Sequence, residues 1–593
     1  MSGMLSNRGV WLAILLLAAA GCGRFRSGGG PPELSDQIRA HLAVARPAFV
    51  TADADGRRIW KSTRDFYAAR SYAAAWIDGR SPRPQMDALI EALRASAAEG
   101  LDPDLYGVTL IESRRREAAR GFLTSKGFQA EEAGGLDVWL TYLYLKFASD
   151  LADGLSDLAR ADSSWQIRPE RFDARAHLEA ALRDNRVAES LRDLTPHAPQ
   201  YEQLRTALAT YRALAGRGGW PAVPEGTKIR PGDSGRSVGA IARRLAASGE
   251  YRGTVPAERA AMIYSTDLQE AVRRFQRLHG LEADAVVGRD VVMEMNVPIA
   301  DRIQQIELNL ERWRWLPRDL GDRYILVNIP AYRMDVWERG RVPLSMRVVV
   351  GKKDSPTPIF TDVMTYVVFS PYWNVPPDIA RDETLPSLLK DASFLEHANM
   401  EIVDRSGRVV DPRSVNLEET STFRFRQRPG GSNSLGLVKF MFPNQFNVYL
   451  HDTPADALFE RAGRSLSHGC VRVEQPQKLA EYVLRDQPQW TPERIAEAMH
   501  GEEEKTVKLK APLPVYLGYW TAAATSEGVQ FTRDVYGIDA RQSQMLADRL
   551  ARMRKSASAA PLGLPAATPA PRATPRRSTP AKGRPSTAAG AAR

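Results

Sequence analysis

The chain has 593 residues, of which 43% are hydrophobic and 26% charged, and these values predict several domains that each bury a core. The formal net charge is +10, but the tail, residues 556–593, contributes six basic residues and no acidic one. The positive charge is therefore largely a property of the tail, so it is no evidence for nucleic-acid binding, and we expect no nucleic-acid partner.

The first predicted element is an export signal, residues 1–22. The apolar run 10–20 is too short to span a bilayer and is typical of a secretory signal peptide. It ends in Ala19-Ala20-Gly21-Cys22, which resembles a bacterial lipoprotein processing box, although Ala19 stands where that box usually has leucine. The resemblance implies that Cys22 is lipidated and gives the protein a lipid anchor. The alternative is an ordinary cleaved signal with an incidental cysteine.

Residues 33–215 are predicted to form a helical scaffold, because Ala, Leu, Arg and Glu dominate this segment. Apolar residues recur within it at steps of three and four, which predicts one face of a long helix. The residues of this face are Leu136, Leu140, Leu143, Phe147 and Leu151. No catalytic constellation is found in this segment, and a Gly/Pro-rich break at 216–221 marks its end.

Residues 227–297 are predicted to form a compact three-helix module. Two amphipathic helices are expected around Val238–Leu245 and Leu268–Phe275, with a third short helix after Gly288. The segment resembles the peptidoglycan-binding helical domain of bacterial wall enzymes, with Ala285 where that family commonly has glycine. The resemblance implies that peptidoglycan glycan is a partner. His279 is predicted to be structural rather than a metal ligand.

A linker helix, residues 302–316, is expected to lead into a β-rich region, residues 322–535. Short runs rich in Val, Ile and Tyr predict its strands. The predicted strands are 324–329, 333–338, 344–350, 363–369, 439–442 and 447–450, with 514–519 and 529–533 as further candidates to complete the sheet. Residues 378–436 are predicted to form an insertion that covers the active site of this region as a cap.

The tail, residues 556–593, is predicted to be disordered. It either contacts anionic wall polymer or lipid headgroups or has no partner.

The most informative motif is His451 followed, sixteen residues later, by Ser467-His468-Gly469-Cys470. Cys470 is one of two cysteines, and the other, Cys22, lies in the export signal, so an intramolecular disulfide is not expected in the mature protein. Three interpretations follow from the residues alone. Cys470 is a nucleophile activated by a histidine, a small buried hydrophobe, or a zinc ligand with His468 and His451.

His451-Asp452-Thr453-Pro454 together with Ser467-His468-Gly469-Cys470-Val471-Arg472 resembles the signature of the YkuD-type L,D-transpeptidases. The domain order resembles the large YcbB-like branch of that family. The resemblance implies a multidomain α+β protein with a helical scaffold, a peptidoglycan-binding module and a mainly β sandwich catalytic domain with an inserted cap. It also implies a bacterial envelope location, periplasmic and lipid-anchored if Cys22 is modified.

The reaction implied by the resemblance forms 3→3 cross-links between peptidoglycan stem peptides. Cys470 attacks the donor carbonyl and His451 is the general base, with no metal and no organic cofactor. The family orients this imidazole with a backbone carbonyl, so the Asp452 carboxylate need not take part.

The same resemblance assigns supporting roles around the nucleophile. His468 and Gly469, within the motif that Ser467 begins, shape the turn and the oxyanion site. Arg472 steadies the turn, binds a stem-peptide carboxylate or forms a structural ion pair. Three aromatic residues are expected either to wall the substrate cleft or simply to be packed. They are Tyr372, Trp373 and Tyr449.

Two other functions stay open at this point. An L,D-carboxypeptidase would use the same cysteine but transfer the acyl group to water. A non-catalytic scaffold would anchor the cell wall through the helical module and the lipid on Cys22, a reading that the intact Ser467–Arg472 motif disfavours.

Overall fold

The computed structural model describes residues 33–558, apart from residues 80, 124–127, 129, 156–161, 171, 256, 258–260 and 418–421. These residues form a helical N-terminal region, a three-helix module and a large β-sheet region, which confirms the predicted α+β fold class. The export signal, Cys22 and nearly all of the tail lie outside the described residues. Within the described ranges, no helix has both the length and the apolar character needed to cross a membrane.

The N-terminal region is built around one central helix. Its helices are α1 (Leu34–Leu42), α2 (Ala54–Ala69), α3 (Pro84–Ala95), α4 (Val108–Leu123), α5 (Ala130–Ala152), α6 (Ala174–Arg183), α7 (Val187–Arg192) and α8 (Pro199–Gly216). A short hairpin joins β1 (Ile77–Asp78) to β2 (Ser81–Pro82), and 3₁₀ turns span Ser96–Glu99 and Pro103–Tyr106. Helix α5 contacts α1, α2, α3, α6 and α7. It is therefore buried on nearly all sides, Trp139 and Tyr144 included, and not only along the predicted face.

The second region is a compact helical module with its own core. It contains α9 (Arg236–Ser248), α10 (Thr266–Leu278) and α11 (Arg289–Met295), and β3 (Ser234–Gly235) pairs antiparallel with β4 (Met262–Ile263). Ala285 has a φ of 64°, a left-handed conformation that glycine adopts at little cost. The Tyr264 hydroxyl donates a 2.6 Å hydrogen bond to the Ala285 carbonyl and helps to hold this turn. This geometry accounts for the glycine that the resembling domains commonly have here.

The predicted linker helix is α12 (Ile299–Arg314), and it is a buried part of the structure rather than a surface connection. Arg312 and Arg314 are fully buried in it, and Arg314 donates a 2.8 Å hydrogen bond to Glu311 on the same helix. The helix packs against α8. Buried charges of this kind persist only when paired, so α12 ties the helical region to the catalytic region through specific partners.

The catalytic region is a sheet that closes on itself. Its strands, with those of the cap and of a hairpin, are β5 (Arg323–Asn328), β6 (Arg333–Glu338), β7 (Arg341–Gly351), β8 (Phe360–Phe369), β9 (Trp373–Asn374), β10 (Met400–Asp404), β11 (Val409–Val410), β12 (Phe423–Gln427), β13 (Val438–Met441), β14 (Leu450–His451), β15 (Ser465–Ser467), β16 (Val471–Val473), β17 (Lys505–Gly518), β18 (Ala522–Thr525) and β19 (Gly528–Phe531). The order in the main sheet is β15-β7-β16-β14-β13-β8-β17-β5-β6, and β6 pairs with β7 as well. The long strand β7 therefore pairs with β15 and β16 at one end of this order and with β6 at the other end, which closes the sheet.

Two strand predictions are wrong in detail. The predicted strand 529–533 does not complete the main sheet, because β19 pairs only with β18 in a separate hairpin. The predicted strand 447–450 begins only at Leu450. The preceding loop is held by Asn444, whose amide donates to the Val448 carbonyl at 2.7 Å and accepts from the Phe446 N–H at 3.0 Å. These local bonds replace a strand ladder.

The predicted cap, 378–436, is a small folded unit above one end of the sheet. It contains α13 (Pro377–Ile379), a π-helical turn (Ala380–Thr384), α14 (Leu385–Lys390) and α15 (Phe394–His397). Its sheet has the order β11-β10-β12-β9, and Ile402, Phe423 and Phe425 form part of its own apolar core. A 3₁₀ turn, Pro412–Ser414, follows β11. The cap is thus built around its own core and attached to the catalytic sheet at both ends.

After β14 the chain passes through a 3₁₀ turn (Asp456–Glu460), α16 (Pro476–Leu484) and α17 (Pro492–Met499), and the last described helix is α18 (Ile538–Ala557). Helix α18 was not predicted from the sequence, and it extends two residues into the predicted tail. It returns to the helical region, where Arg549 donates a 2.8 Å hydrogen bond to Asp55. Arg312 of α12 binds Asp539 at 2.7 Å, so paired charges join α18 to α12 as well as to the helical region.

Candidate active site

The fold places the two predicted catalytic residues on adjacent parallel strands. His451 ends β14, and Cys470 directly precedes β16. In the register, Leu450 is opposite Val471, and His451 is opposite Arg472. The sequence separation between histidine and cysteine therefore becomes spatial proximity at one end of the sheet.

The turn that carries Cys470 is stabilised by hydrogen bonds between its own residues. The Ser467 hydroxyl donates to the Cys470 carbonyl at 2.5 Å and accepts from the Gly469 N–H at 3.2 Å. Gly469 has a φ of 114°, which only glycine adopts without strain. Its N–H is engaged by Ser467, so we assign Gly469 to shaping the turn and not to donating a bond to an oxyanion.

A residue that the sequence did not single out, Thr357, supports this turn from below. Its buried hydroxyl donates to the Gly469 carbonyl at 2.7 Å and accepts from the Gly351 N–H at 2.9 Å. The Tyr536 hydroxyl donates to the Gly351 carbonyl at 2.7 Å. Threonine and tyrosine hydroxyls are common in any chain, and only the folded geometry distinguishes these two.

His451 is buried and oriented by the backbone. Its Nδ1 lies 2.5 Å from the Asp452 carbonyl oxygen, which makes Nδ1 the protonated nitrogen and leaves Nε2 available as a base. Burial and the nearby Arg472 charge lower the pKa of His451 to about 3, although hydrogen bonds to backbone carbonyls oppose the shift. The imidazole is therefore neutral at pH 7.

The Cys470 thiol is partly buried beside Tyr449. Burial raises the pKa of this thiol, while hydrogen bonds from Tyr449 and the Arg472 charge act in the opposite direction. Burial and the neighbouring Cys470 likewise raise the pKa of the Tyr449 hydroxyl. At neutral pH the thiol and the phenol both keep their protons.

Cys470 and His451 line one cavity of about 200 Å³ between the catalytic sheet and the cap. Tyr449, Trp373, Ser467, His468 and Arg472 are among the other predicted residues that the structure brings to it. Tyr372 is not among the residues that line this cavity, so its place in the substrate cleft stays a prediction. Its ring instead lies 4.3 Å from the guanidinium carbon of Arg426 in the cap, a cation–π contact.

The cap side of the cavity contains residues that sequence reasoning missed. They are Pro376, Ile379, Glu383, Ser434 and Leu435. Most of them lie where the chain enters or leaves the insertion. The sequence predicts the insertion, but it does not show which residues of the insertion face Cys470. Glu383 carries the one carboxylate among the residues that line the cavity.

His468 reaches toward the cap instead of the thiol. Its Nε2 lies 2.8 Å from Glu383 Oε1 and 3.3 Å from Lys352 Nζ, and both histidine and glutamate side chains are more than a third exposed. Asp452 faces away from the cavity. Its carboxylate accepts from the Leu437 N–H at 2.8 Å and the Thr453 N–H at 2.7 Å, so it holds the segment where the cap ends.

Arg472 lines the cavity without a carboxylate partner among the described residues, and its Nε is buried without a hydrogen-bond acceptor. The structure therefore does not support the structural ion pair considered from sequence. The structure also does not support Cys470 as a plain core residue, because the thiol is only partly buried and lines a cavity that His451 lines too. In the described ranges, His451, His468 and Cys470 do not form a metal-ligand group.

These groups together can carry out acyl transfer. A thiol and a neutral imidazole face the same cavity, and a cation lies beside them for an anionic substrate group.

Comparison with known families agrees with the region-by-region interpretation. Residues 322–506 match the sequence model of the "L,D-transpeptidase catalytic domain", residues 61–208 that of a "Scaffold domain", and residues 234–295 that of a "Putative peptidoglycan binding domain". The three matches occur in the order predicted from the sequence. They confirm the resemblance to the YkuD-type L,D-transpeptidases and to the peptidoglycan-binding domain.

Individual relatives give the same result over part of the chain. A Haemophilus influenzae protein named "Putative L,D-transpeptidase" is 35% identical over 239 residues, which are 40% of this chain and 48% of the relative. The match thus spans about half of that relative's length.

Two solved structures were also found to be similar. The L,D-transpeptidase from Mycobacterium smegmatis is 13% identical, with 33% of this chain and 58% of that chain covered and a TM-score of 0.16. An L,D-transpeptidase from Xylanimonas cellulosilytica is 16% identical, with 50% of this chain and 98% of that chain covered and a TM-score of 0.16.

Proposed function

Because residues 322–506 belong to the L,D-transpeptidase catalytic domain family, we propose that this protein forms 3→3 cross-links in peptidoglycan through a thioester on Cys470. The observation that carries the proposal is the cavity where Cys470, His451 and Arg472 meet beneath the cap. The donor is a tetrapeptide stem, and the acceptor is the side-chain amine of a diaminopimelate on a neighbouring stem.

In the acylation step, the Cys470 sulfur attacks the carbonyl of the third stem residue. His451 Nε2 takes the thiol proton, since Nδ1 is already committed to the Asp452 carbonyl. The tetrahedral oxyanion is stabilised by backbone N–H groups of the turn, of which that of Cys470 is the nearest to the sulfur. When the carbon–nitrogen bond breaks, the imidazolium protonates the departing D-alanine amine and a thioester remains.

In the transfer step, the acceptor amine attacks the thioester carbonyl. His451 accepts a proton from the amine and returns it to the departing sulfur, which regenerates the thiol and releases the cross-linked product. The thioester conserves the energy of the donor peptide bond, so no metal or organic cofactor is needed.

The proton leaves the thiol during the attack and not before it. Burial raises the pKa of Cys470, and burial with the Arg472 charge lowers that of His451 to about 3. The resting pair is therefore neutral and not a thiolate–imidazolium pair. A neutral pair suits a site that must stay desolvated until substrate fills it.

Charges around the cavity match the substrate ends. Arg472, unpaired among the described residues, would bind a stem-peptide carboxylate as a forked donor. Glu383, on the cap side, would bind the ammonium group of the diaminopimelate acceptor. Together the two charges favour diaminopimelate over an uncharged side chain.

A wall-binding module and a wall-acting catalytic domain place the proposed activity in the cell envelope. The export signal and the lipidation of Cys22 remain predictions from the sequence, as does a periplasmic location.

The proposal is tested by incubating the purified protein with disaccharide-tetrapeptide and analysing the products by mass spectrometry. We expect a dimer that has lost one D-alanine, and no dimer from a Cys470→Ala variant whose melting temperature is unchanged. Tripeptide without dimer would favour the L,D-carboxypeptidase instead. Absence of any Cys470-dependent product would contradict both enzymatic functions and leave the non-catalytic scaffold.

A further inference from the structure

The cysteine turn is bonded to the end of β7 and to the loop that follows it, residues 352–359. The Lys352 N–H donates to the Ser467 carbonyl at 2.9 Å. The Ser465 hydroxyl donates to the carbonyl of Gly351, the last residue of β7, at 2.6 Å. These bonds add to the one from the loop's threonine to the turn. The position of the nucleophile therefore depends on the position of this loop.

Tyr536 holds the two ends of this loop together. Its hydroxyl donates to the Gly351 carbonyl at 2.7 Å and accepts from the Thr357 N–H at 3.2 Å. Burial raises the pKa of Tyr536, so the phenol keeps the proton that it donates. Tyr536 lies beyond residues 322–506, the region that matches the catalytic domain family. A group from outside that region thus fixes the loop beneath the nucleophile.

Tyr536 is itself fixed at the start of α18. Its N–H donates to the Tyr519 hydroxyl at 3.0 Å, and the two rings lie 5.7 Å apart. The Tyr519 hydroxyl donates to Asp534 Oδ1 at 2.6 Å. The Asp534 carboxylate also accepts from the N–H groups of Ile538 and Asp539, at 2.8 Å each. It thereby satisfies donors that lack partners in the first turn of the helix, and joins the helix to the tyrosine pair.

Helix α18 is in turn bonded to the helical region. Arg541 Nη2 lies 2.8 Å from Oδ1 of Asp162, which lies between α5 and α6. Gln542 Nε2 donates to the other oxygen of the same carboxylate at 2.8 Å. Asp162 is only 3% exposed, so this junction is shielded from water. A series of hydrogen bonds therefore extends from the helical region, through α18 and the tyrosine pair, to the loop beneath the cysteine turn.

We propose that Tyr536 is a positioning residue for Cys470, through which α18 holds the cysteine turn in its reactive place. The inference rests on the proposed function, in which Cys470 must meet the donor carbonyl while His451 takes its proton. A misplacement of about 1 Å slows such a step by about 100-fold. Tyr536 acts through the loop and does not line the catalytic cavity. Its hydroxyl therefore governs how fast bound donor reacts, and not how tightly the donor binds.

Three tyrosine-to-phenylalanine variants test this role, since each removes one hydroxyl and keeps the ring. Tyr536→Phe removes both bonds to the loop. Tyr519→Phe breaks the anchor one step away and leaves the Tyr536 hydroxyl in place. Tyr144→Phe is the matched control, because its hydroxyl lies 2.8 Å from that of Ser190, within the helical region. If Tyr536→Phe does not fold, Tyr519→Phe carries the test.

The first measurement is hydrogen exchange of the full chain, followed by mass spectrometry on the peptide that covers residues 465–473. We expect this peptide to exchange about tenfold faster in Tyr536→Phe, because local opening then breaks fewer hydrogen bonds. The increase should be about threefold in Tyr519→Phe, and Tyr144→Phe should exchange like the wild type here. Wild-type exchange of this peptide in both Tyr536→Phe and Tyr519→Phe would overturn the proposal.

The second measurement is the single-turnover rate of Cys470 acylation at several concentrations of disaccharide-tetrapeptide. The maximal rate should fall about tenfold in Tyr536→Phe and about threefold in Tyr519→Phe, with the half-saturating concentration unchanged within about twofold. Tyr144→Phe should match the wild type. A change in the half-saturating concentration alone, or an equal loss of rate in Tyr144→Phe, would overturn the positioning role.

The two measurements separate this inference from the proposed function. If the wild type is never acylated, the proposed function fails, while faster exchange in Tyr536→Phe still shows that Tyr536 holds the turn. If the wild type is acylated but Tyr536→Phe exchanges and reacts as the wild type does, only the positioning role fails.

Discussion

The two walls of the catalytic cavity are held in different ways. The sheet wall is buried, and hydrogen bonds from Ser467 and Thr357 hold its cysteine turn. The cap wall has its own core, and it meets the cysteine turn through a half-exposed side-chain contact between Glu383 and His468. Buried, multiply bonded groups stay in place, while exposed ion pairs contribute little to stability. Under the proposed function, we therefore expect the rigid wall to carry the chemistry and the adaptable wall to select the substrate.

The largest effect is expected from straining the rigid wall at Gly469. Gly469→Ala introduces a side chain at a φ of 114°, where strain of about 1–3 kcal/mol must be relieved by moving the turn. A displaced nucleophile is expected to lower kcat/KM by about 100-fold. Gly463→Ala is the control, since Gly463 lies in the preceding loop with nothing within 4 Å of an added Cβ. Similar kinetics for both variants would show that the turn tolerates movement.

A smaller effect is expected from removing the support beneath that turn. Thr357→Val keeps the shape of the side chain but leaves the Gly469 carbonyl and the Gly351 N–H unpaired. The free energy of unfolding should fall by about 1–3 kcal/mol, measured by denaturant titration. We expect about a tenfold lower kcat/KM from the loosened turn. Thr506→Val, at an exposed strand position, is the control. Wild-type stability in Thr357→Val would contradict the proposed support.

Changing the cap wall should act on the acceptor and leave the donor step intact. Glu383→Gln removes the one carboxylate that lines the cavity, so the KM for a diaminopimelate acceptor should rise about three- to ten-fold, the worth of one charge-assisted hydrogen bond. The single-turnover rate of Cys470 acylation should change less than about twofold, because Glu383 is not part of the thiol–imidazole pair. Glu396→Gln, exposed on α15, is the matched control. Loss of acylation in Glu383→Gln would place this residue in the chemistry instead.

The smallest effect is expected from pH. His451 acts as a base only when neutral, and its pKa is lowered to about 3, so it stays neutral throughout the range from pH 5 to pH 8. The pKa of Cys470 is raised, so the thiol stays protonated over the same range. The single-turnover acylation rate should therefore vary by less than about twofold between pH 5 and pH 8. An inflection near pH 6.5 that remains in a His468→Gln variant would indicate an ordinary pKa for His451 and contradict the buried neutral pair.

The sequence predicts the rigid wall better than the adaptable one. Cys470 and His451 could be identified because their residue types and spacing carry the chemistry, and parallel pairing of β14 with β16 then brings them together. Thr357 and Glu383 could not be identified, since each acts through a tertiary contact that leaves no local pattern. The same applies to Tyr372, which is next to Trp373 in the chain but contacts Arg426 and does not line the cavity, a difference that only tertiary packing sets.

At the level of the fold, periodicity predicts elements but not their surroundings. Apolar residues at steps of three and four correctly predict helix α5. The helix is nevertheless buried on nearly every side, because five other helices contact it. Helix α18 was missed because two of its four buried residues are polar. Arg549 and Gln542 are both fully buried, and a pattern that counts only apolar residues treats such positions as exposed.

The central claim is that Cys470 carries the acyl group, and peptide-mapping mass spectrometry tests it most directly. The protein is mixed with disaccharide-tetrapeptide in the absence of acceptor, quenched in acid and digested. A mass increase equal to the donor minus D-alanine, found on the peptide that contains Cys470 and lost in Cys470→Ala, is the predicted result. D-alanine release with no adduct on that peptide, or an adduct on another residue, would contradict the account.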